Sequence, residues 1–192
     1  MATDLITLAE YKSYMNKVNP SDDAMITALI PKVSDLIKRI CGRTFIDYVN
    51  DDKVEVFRGG FNNYLVQESP LLSVNSVEYS TDYGQTYTAL TEFTDYVSVL
   101  DEDRIEFISA QYDENSPPQV NKFRITYNGG FTSVPDDIKL AAFDLVTYYM
   151  RNDGAVHSQK PPGSNTIQID YITNNRLPAH ISRVLDLYRS TY

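Results

Sequence analysis

Apolar residues recur at helical spacing between residues 22 and 41, the most regular pattern in the chain. They form a wide stripe that would lie along one side of a helix. Pro31 falls inside this stripe, and because proline lacks a backbone N–H, we expect it to kink the helix or split it into two. Gly42 follows and is a typical left-handed terminator. The stripe comprises Met25, Ile26, Leu29, Ile30, Val33, Leu36, Ile37 and Ile40.

Two capping sequences mark where the first helices begin. Thr7 and Glu10 have the spacing of a capping box, which predicts a short helix at about 8–17. Ser21 offers an N-cap for the second helix, and the two aspartates that follow it suit the positive end of the helix dipole.

From residue 44 to residue 127 the hydrophobic pattern alternates with a period of two, which is typical of β-strands. Turn-forming Gly, Asp, Asn and Pro residues separate the short segments, so we expect an antiparallel β module at about 44–130. The alternating segments are 53–57, 64–66, 74–79, 96–99, 104–107 and 122–127.

Helical spacing returns at about 135–151, where Pro135 and an acidic pair suit the first turn. The apolar face predicted for this helix comprises Ile138, Ala141, Ala142, Leu145, Val146 and Tyr149. The chain then becomes polar, and residues 160–164 have the composition of a linker. Residues 166–172 alternate like a strand or hairpin arm, and Leu177-Pro178 opens a last short helix.

These patterns predict an α+β fold, in which a helical bundle carries an inserted antiparallel β module and an extended C-terminal segment. Residues 1–154 would form the core, with helices at about 8–17, 22–41 and 135–151 and the β module at about 44–130. Residues 155–192 would form a C-terminal docking arm that ends in a short helix.

Charge is distributed unevenly along the 192 residues, which carry a net charge of −9. The first 150 residues hold 12 basic and 23 acidic side chains, whereas the remainder holds 5 and 3. An acidic body argues against free nucleic-acid binding, because phosphate contacts need a basic surface. The basic end could instead dock on a partner that the acidic body does not contact.

The single cysteine, Cys41, excludes an intrachain disulfide framework and any cysteine-based zinc cluster. It directly follows the apolar stripe, which favours a small buried residue over a nucleophile. The sequence contains no run of 18 apolar residues, so we expect no membrane span. No signal peptide is visible at the N-terminus. We expect synthesis in a reducing cytoplasm.

Residue patterns that would support catalysis are weak. His157 and His180 lie in polar segments without acidic or cysteine ligands at metal spacing, which favours solvated side chains. Nucleophile-elbow and glycine-rich phosphate-loop motifs do not occur, and no acidic cluster has the EF-hand spacing. We therefore expect neither an enzyme nor a cofactor or metal, with an acidic hydrolase built on loop carboxylates as an alternative. The 15 tyrosines suit a half-buried sheet and protein interfaces.

Five segments occur in an order that resembles a known family. They are Leu5–Lys12, Asp22–Phe45 with its Gly42-Arg43-Thr44-Phe45 exit, Ser69–Val77 beginning Ser69-Pro70-Leu71, Arg124–Lys139 with Val134-Pro135, and Leu177–Arg189. Together they resemble the tailed-bacteriophage head–tail connector family, the adaptor proteins beneath the portal. Between about Ser158 and Asn175 this chain carries more sequence than the family pattern.

The resemblance implies a structural, non-catalytic virion protein at the head–tail interface. Family members assemble, typically as twelve copies, into a ring under the portal, extend the DNA channel and provide a docking site for stopper or tail proteins. Portal, stopper or tail proteins and further copies would be the partners, whereas genome DNA would pass through without specific binding and no membrane would be involved. An acidic channel wall would repel DNA phosphates, in agreement with this role.

Two groups of residues are candidate contacts. The expected portal-docking residues, from the basic C-terminal part, are Lys160, Arg176, Arg183, Arg189 and Tyr192. The loop acids expected on a tail-side or channel surface are Asp101, Glu102 and Asp103. A tail or baseplate component is the alternative structural role; there the acidic sheet would be the main interface.

Overall fold

The computed structural model describes residues 3–16, 19–59, 62–108, 122–151, 156–159, 168–171 and 177–189. The chain divides into two compact units. The helical unit comprises Asp4–Cys41 and Pro135–Tyr192, and the β unit comprises Met1–Thr3 and Gly42–Val134. The α+β fold class is confirmed, and the β module is an insertion between two helical segments.

Helices of the helical unit pack around one apolar core. They are α1 (Leu8–Tyr14), α2 (Asp23–Cys41), α3 (Asp136–Arg151) and α4 (Ala179–Leu187). The buried members of the predicted α2 stripe are Ile26, Ile30, Val33 and Ile37. The predicted α3 face is buried except for Tyr149, which is exposed. The core therefore uses a narrower stripe on each helix than the apolar pattern suggested.

The capping box at the start of α1 is confirmed. The backbone N–H of Glu10 donates to Thr7 Oγ1 at 3.2 Å, and that of Thr7 donates to Glu10 Oε2 at 2.8 Å. The helix ends at Tyr14, earlier than predicted, because Asn16 has a left-handed φ of 50° that a continuing helix does not allow.

Helix α2 continues through Pro31 without division, so the split, one of the two outcomes expected at Pro31, does not occur. Pro31 and Thr27, four residues earlier, are both exposed. The carbonyl that loses its hydrogen bond to proline can therefore face solvent, which reduces the cost of the interruption.

The turn before α2 is capped by a different residue from the one expected. Asn19, not Ser21, is the N-cap, and its Oδ1 accepts from the Ser21 N–H at 3.0 Å. Pro20 sets the first position of a 3₁₀ turn at Pro20–Asp22, and α2 begins directly after it. Because proline favours the first position of a helix, the cap falls on the residue before it.

Two antiparallel sheets form the β unit. The first has the strand order β1 (Lys53–Arg58), β7 (Lys122–Gly129), β3 (Leu71–Ser80) and β4 (Thr88–Ala89). The second has the order β2 (Asn63–Leu65), β6 (Arg104–Phe107) and β5 (Tyr96–Val99). All six predicted strands are present, whereas the two-residue β4 was not predicted because it is too short to show alternation.

Aromatic rings join the two sheets of the β unit. Phe107 of β6 lies 4.2 Å from Phe123 of β7 between ring centroids, and Tyr64 of β2 lies 5.0 Å from Phe57 of β1. The fully buried residues include Ile105, Phe123, Ile125 and Tyr127. Tilted rings at these separations add to the hydrophobic stabilisation of the core.

A buried carboxylate organises one end of the β unit. Glu68 is 1% exposed and accepts from the Thr44 N–H at 2.9 Å and from Lys53 Nζ at 3.0 Å. Tyr127 donates its hydroxyl hydrogen to Glu55 at 2.6 Å and accepts from the Glu68 N–H at 3.0 Å. These charge-assisted hydrogen bonds compensate for the burial of the charges.

A two-stranded hairpin belongs to the helical unit. Strand β8 (Val156–Gln159) pairs antiparallel with β9 (Gln168–Tyr171). The alternation at 166–172 thus marks a hairpin arm, whereas β8 was not predicted. The proposed linker at 160–164 and the predicted boundary at 154–155 both lie outside the described residues, and the division into core and arm stays a prediction.

Candidate docking surfaces

Helix α4 is fixed within the helical unit by its apolar face and by two polar contacts. Ile181 and Leu185 are 1% exposed, and Val184 and Tyr188 are half-buried on the same face. The Tyr188 hydroxyl donates to Asp137 Oδ1 at 2.9 Å. Cys41 is buried, as predicted, and its thiol donates to the Leu185 carbonyl at 3.6 Å. These contacts hold α4 in a defined position, and the exposed side of the helix, opposite its apolar face, has a fixed orientation as a result.

An open groove of about 480 Å³ runs beside α4. Its lining residues are Ile40, Leu177, Ala179, Ser182, Arg183, Leu185, Asp186 and Arg189. Ile40 and Leu177, both half-buried, supply apolar surface, and both arginines are exposed. The structure thus brings two of the predicted docking residues, Arg183 and Arg189, to one concave surface.

The groove combines features that suit an acidic and apolar ligand segment. Arg189 Nη1 lies 3.5 Å from Asp186 Oδ1, and its Nε–H donates to the Ile40 carbonyl at 3.5 Å. These long, exposed contacts hold the guanidinium only weakly. Arg189 can therefore turn toward carboxylates of a bound protein, and Arg183 is exposed on the same groove. Guanidinium groups bind carboxylates in a bidentate manner.

The other predicted portal contacts, Lys160, Arg176 and Tyr192, lie outside the described residues. Sequence reasoning missed Ile40 and Leu177 as groove residues. Ile40 ends the α2 stripe and Leu177 precedes α4, and only tertiary packing places them on the same surface. No periodicity in the sequence relates residues so far apart.

Two of the three loop acids are exposed on the β unit. Asp101 and Glu102 belong to a 3₁₀ turn, Leu100–Glu102, that directly follows β5. Glu102 Oε2 lies 2.8 Å from Arg104 Nη2, and the same Arg104 atom lies 2.6 Å from Glu106 Oε1. The turn therefore presents negative charge that one neighbouring arginine only partly balances.

Asp103 directly follows this turn, and its carboxylate stabilises the fold. It has a left-handed φ of 55°, a conformation that Asp adopts more readily than most residues. Its carboxylate accepts from Ser69 Oγ at 2.5 Å and from the Leu71 N–H at 2.6 Å. These bonds fix the start of β3, so its proposed contact role, still a prediction, would depend on atoms other than the engaged carboxylate.

Metal and membrane sites are absent from the described part of the chain. No group of three potential ligands among those residues could hold a metal ion, and none of the described helices could span a bilayer. His180 is exposed, with Nε2 3.4 Å from Asp144 Oδ2, whereas the side chain of His157 is not described.

Sequence comparison places this architecture in a family. The model of the head completion protein family matches residues 4–191, which is nearly the whole chain. The chain belongs to the head completion protein family. As a head completion protein it is a structural component of the virion at the junction of head and tail, and not an enzyme. The hydrolase alternative is therefore wrong. No curated protein matches this chain.

Solved structures with a similar fold come from gene transfer agent particles. A chain from the neck of an empty particle, computed with C6 symmetry, has a TM-score of 0.59 at 16% identity, covering 98% of this chain and 91% of that chain. A chain from the neck of a native particle, computed with C12 symmetry, has a TM-score of 0.54 at 17% identity, covering 100% and 96%. At these identities the similarity shows a shared fold.

Proposed function

We propose that this head completion protein is a head–tail adaptor that forms a ring beneath the portal, extends the DNA channel and provides the docking site for stopper or tail proteins. Family membership supports the head–tail location. Similar folds in the necks of particles with C6 and C12 symmetry support a ring, and twelve copies match the higher symmetry. The virion neck is the corresponding location.

The observation that carries portal docking is the groove beside α4. Arg183 and Arg189 lie on it together with apolar surface, so it can bind an acidic and apolar segment of the portal. Lys160, Arg176 and Tyr192 are proposed to extend this docking region. Asp101, Glu102 and Asp103 are proposed to lie at the tail-side or channel surface, where acidic groups would repel DNA.

Binding to DNA-filled, portal-bearing heads that lack this protein tests the proposal. Removal of all residues after Asp153 would strip α4 from the core, since Ile181 and Leu185 are buried, so point variants are the sharper probe. We expect the wild-type chain to co-sediment with heads at fixed stoichiometry. The Arg183→Glu variant should lose at least about tenfold in affinity, because it opposes an acidic partner with a like charge.

Lys32→Glu is the matched control, because Lys32 is exposed on α2 and the change in charge is the same. It should bind as the wild type does. Equal loss in both variants would indicate a nonspecific charge effect and would contradict docking at the groove. Failure of the folded wild-type chain to bind heads would favour the tail or baseplate alternative.

A further inference from the structure

One loop of the β unit presents a bulky aromatic side chain to solvent. Phe93 is 77% exposed and has a left-handed φ of 63°. This conformation is rare for large residues and persists only where the surrounding structure enforces it. An exposed ring held at such a position is a feature that the folding of a single chain does not require.

Hydrogen bonds around Phe93 enforce this geometry. Its N–H donates to the Tyr96 carbonyl at 2.7 Å, and Asp95 Oδ2 accepts from the Thr91 N–H at 2.8 Å. The Ile108 N–H donates to the Asp95 carbonyl at 2.9 Å, so Ile108, also exposed, is attached to the same backbone. We name Glu92, Phe93 and Ile108 the aromatic tip; Glu92 adds an exposed negative charge.

A second exposed apolar surface lies on β1, an edge strand of the other sheet. Its alternation turns Lys53 and Phe57 inward, while Val54 and Val56 are 55% and 54% exposed. The inward side is fixed by Phe57 in the aromatic core and by the bond from Lys53 to Glu68. The valines must therefore face outward, although burying them would be more favourable.

Cationic residues flank these valines. Arg58 follows them on the exposed side of β1 and pairs across the sheet with Lys122 of β7. Lys122 lies on the outer face of β7, whose alternate residues are buried. We name Val54, Val56 and Arg58 the valine strip. It is apolar at its centre and positive at one end, whereas the aromatic tip is apolar and negative.

We propose that the aromatic tip of one copy packs on the valine strip of the next copy in the ring, with Phe93 and Ile108 on the two valines and Glu92 near Arg58 and Lys122. The inference rests on the proposed ring. Both complementary surfaces belong to the same chain and share no residue: the aromatic tip lies on loops next to β5 and β6, and the valine strip lies on β1 of the other sheet. Each copy can therefore use one surface toward each neighbour. A head-to-tail contact of this type forms a closed ring when the rotation from one copy to the next adds up to a full turn.

The complementary charges of the aromatic tip and the valine strip, and not the net charge, favour a second copy as the occupant. Copies with a net charge of −9 repel one another, so their contact needs a local pair of opposite charges to set orientation. Glu92 and Arg58 provide that pair, and the apolar residues beside them exclude water from the contact.

Cysteine cross-linking on DNA-filled heads tests the contact directly. Phe93→Cys and Val56→Cys are made separately and in one chain; the native Cys41 is buried. A mixture of the two single variants should give disulfide-linked dimers and nothing larger. The double variant should give a ladder of higher multimers, and neither single variant alone should cross-link.

A double variant of Tyr83→Cys and Val56→Cys is the matched control, because Tyr83 is also aromatic, 61% exposed and left-handed, with a φ of 64°. It should give no ladder. Dimers from Phe93→Cys alone would indicate a symmetric contact and overturn the proposal. Absence of dimers from the mixture, when both variants bind heads, would also overturn it.

Charge reversal provides the second test. Glu92→Lys and Arg58→Glu should each reduce the bound copies per head by about tenfold, and their combination in one chain should restore binding. Phe93→Gly should fold, because glycine accepts the left-handed φ, and should also lose ring formation. Tyr83→Gly should retain it. No rescue by the combined charge reversal would overturn the proposed pairing of Glu92 with Arg58.

The proposed adaptor function and this contact can fail separately. If the wild-type chain does not bind heads, the adaptor function fails, and the cysteine mixture is then oxidised in concentrated solution without heads. Dimers from that mixture would still support the contact, and their absence would overturn it. If the wild-type chain binds heads and Phe93→Gly binds equally with an unaltered ring, only the contact fails.

Discussion

At the scale of single residues, the close packing of the β unit depends on positions that admit no side chain. A Cβ atom at Gly129 would lie 2.2 Å from the Glu68 carbonyl oxygen, and one at Gly130 would lie 2.3 Å from that of Phe45. Gly130 also has a φ of 109°, which other residues rarely adopt. The glycine pair that marks the end of a strand in the sequence is thus also required by backbone contact.

We expect Gly129→Ala to lower the free energy of unfolding by about 3 kcal/mol, because the backbone of Glu68 must move to admit the methyl group. Urea denaturation of the purified chain measures this change. Gly84→Ala is the control, since its Cβ would meet only side-chain atoms, those of Tyr87 and Lys122, and its positive φ costs about 1 kcal/mol. Equal losses would contradict the role assigned to the Glu68 carbonyl.

A second residue-scale prediction concerns pH. The Lys139 ammonium, 2.8 Å from Glu10 Oε1, lowers the pKa of Glu10 below its ordinary 4.5, and Glu10 raises the pKa of Lys139 above 10.5. The pair therefore stabilises the fold fully between these ordinary values. The stabilisation is lost as the pH falls through the lowered pKa of Glu10 or rises through the raised pKa of Lys139.

Lys139→Gln should accordingly lower the free energy of unfolding by about 0.5 kcal/mol at neutral pH, as expected for an exposed pair. The difference from the wild type should disappear at a pH below the lowered pKa of Glu10. Urea denaturation at both pH values measures it, with Lys32→Gln on the exposed side of α2 as the control. A difference that persists in acid would assign the effect to packing of the lysine stem.

At the scale of elements, strand β1 shows how one side chain sets the register of a strand. Phe57 belongs to the aromatic core, so Glu55 and Lys53, two and four residues away, must share its inward face. Their charges are then compensated by Glu68 and Tyr127. Inward-pointing charges also discourage uncontrolled pairing at a sheet edge.

The bond between Lys53 and Glu68 should therefore show strong coupling in a double-mutant cycle. We expect Lys53→Met alone to cost about 3 kcal/mol, because it leaves the buried Glu68 carboxylate with much less compensation. Lys53→Met combined with Glu68→Gln should cost less than the sum of the single changes. Glu102→Gln, in an exposed turn of the same unit, replaces Glu68→Gln in the control cycle and should show no coupling with Lys53→Met. If the effects of Lys53→Met and Glu68→Gln are additive, the two residues are not coupled.

At the scale of the whole molecule, net charge and local charge have opposite effects on binding. The chain carries −9, yet Arg183 and Arg189 meet at one groove. At this groove the two arginines attract an acidic partner, whereas the net negative charge of the chain repels the same partner. Salt screens both effects over about 8–10 Å, so the balance depends on ionic strength.

We expect head binding to weaken as NaCl rises from about 50 to about 300 mM, because screening acts on the groove arginines. Arg183→Gln/Arg189→Gln should bind less tightly at low salt and show a shallower dependence on salt. Quantitative co-sedimentation with DNA-filled heads measures both slopes, and Lys32→Gln is the control. Parallel slopes for the variant and the wild type would contradict docking through the groove.

The sequence by itself determined the fold class, the four helices and the longer strands of the β unit, but not β4 or β8. Local signals sufficed where the cause is local: the Thr7–Glu10 box starts α1, Gly42 ends α2 with a φ of 70°, and alternation marks the longer strands. The order of the five family segments was equally readable, because it needs no knowledge of contacts. The head–tail role followed from that order.

Tertiary structure alone decided which surfaces these elements form. The division of β1 into an inward charged side and an outward valine side depends on Tyr64 and Glu68, which meet Phe57 and Lys53 only in the folded β unit. The groove likewise joins Ile40 to α4 across most of the chain. Sequence patterns report periodicity within an element, whereas a docking surface is a property of residues brought together by packing between elements.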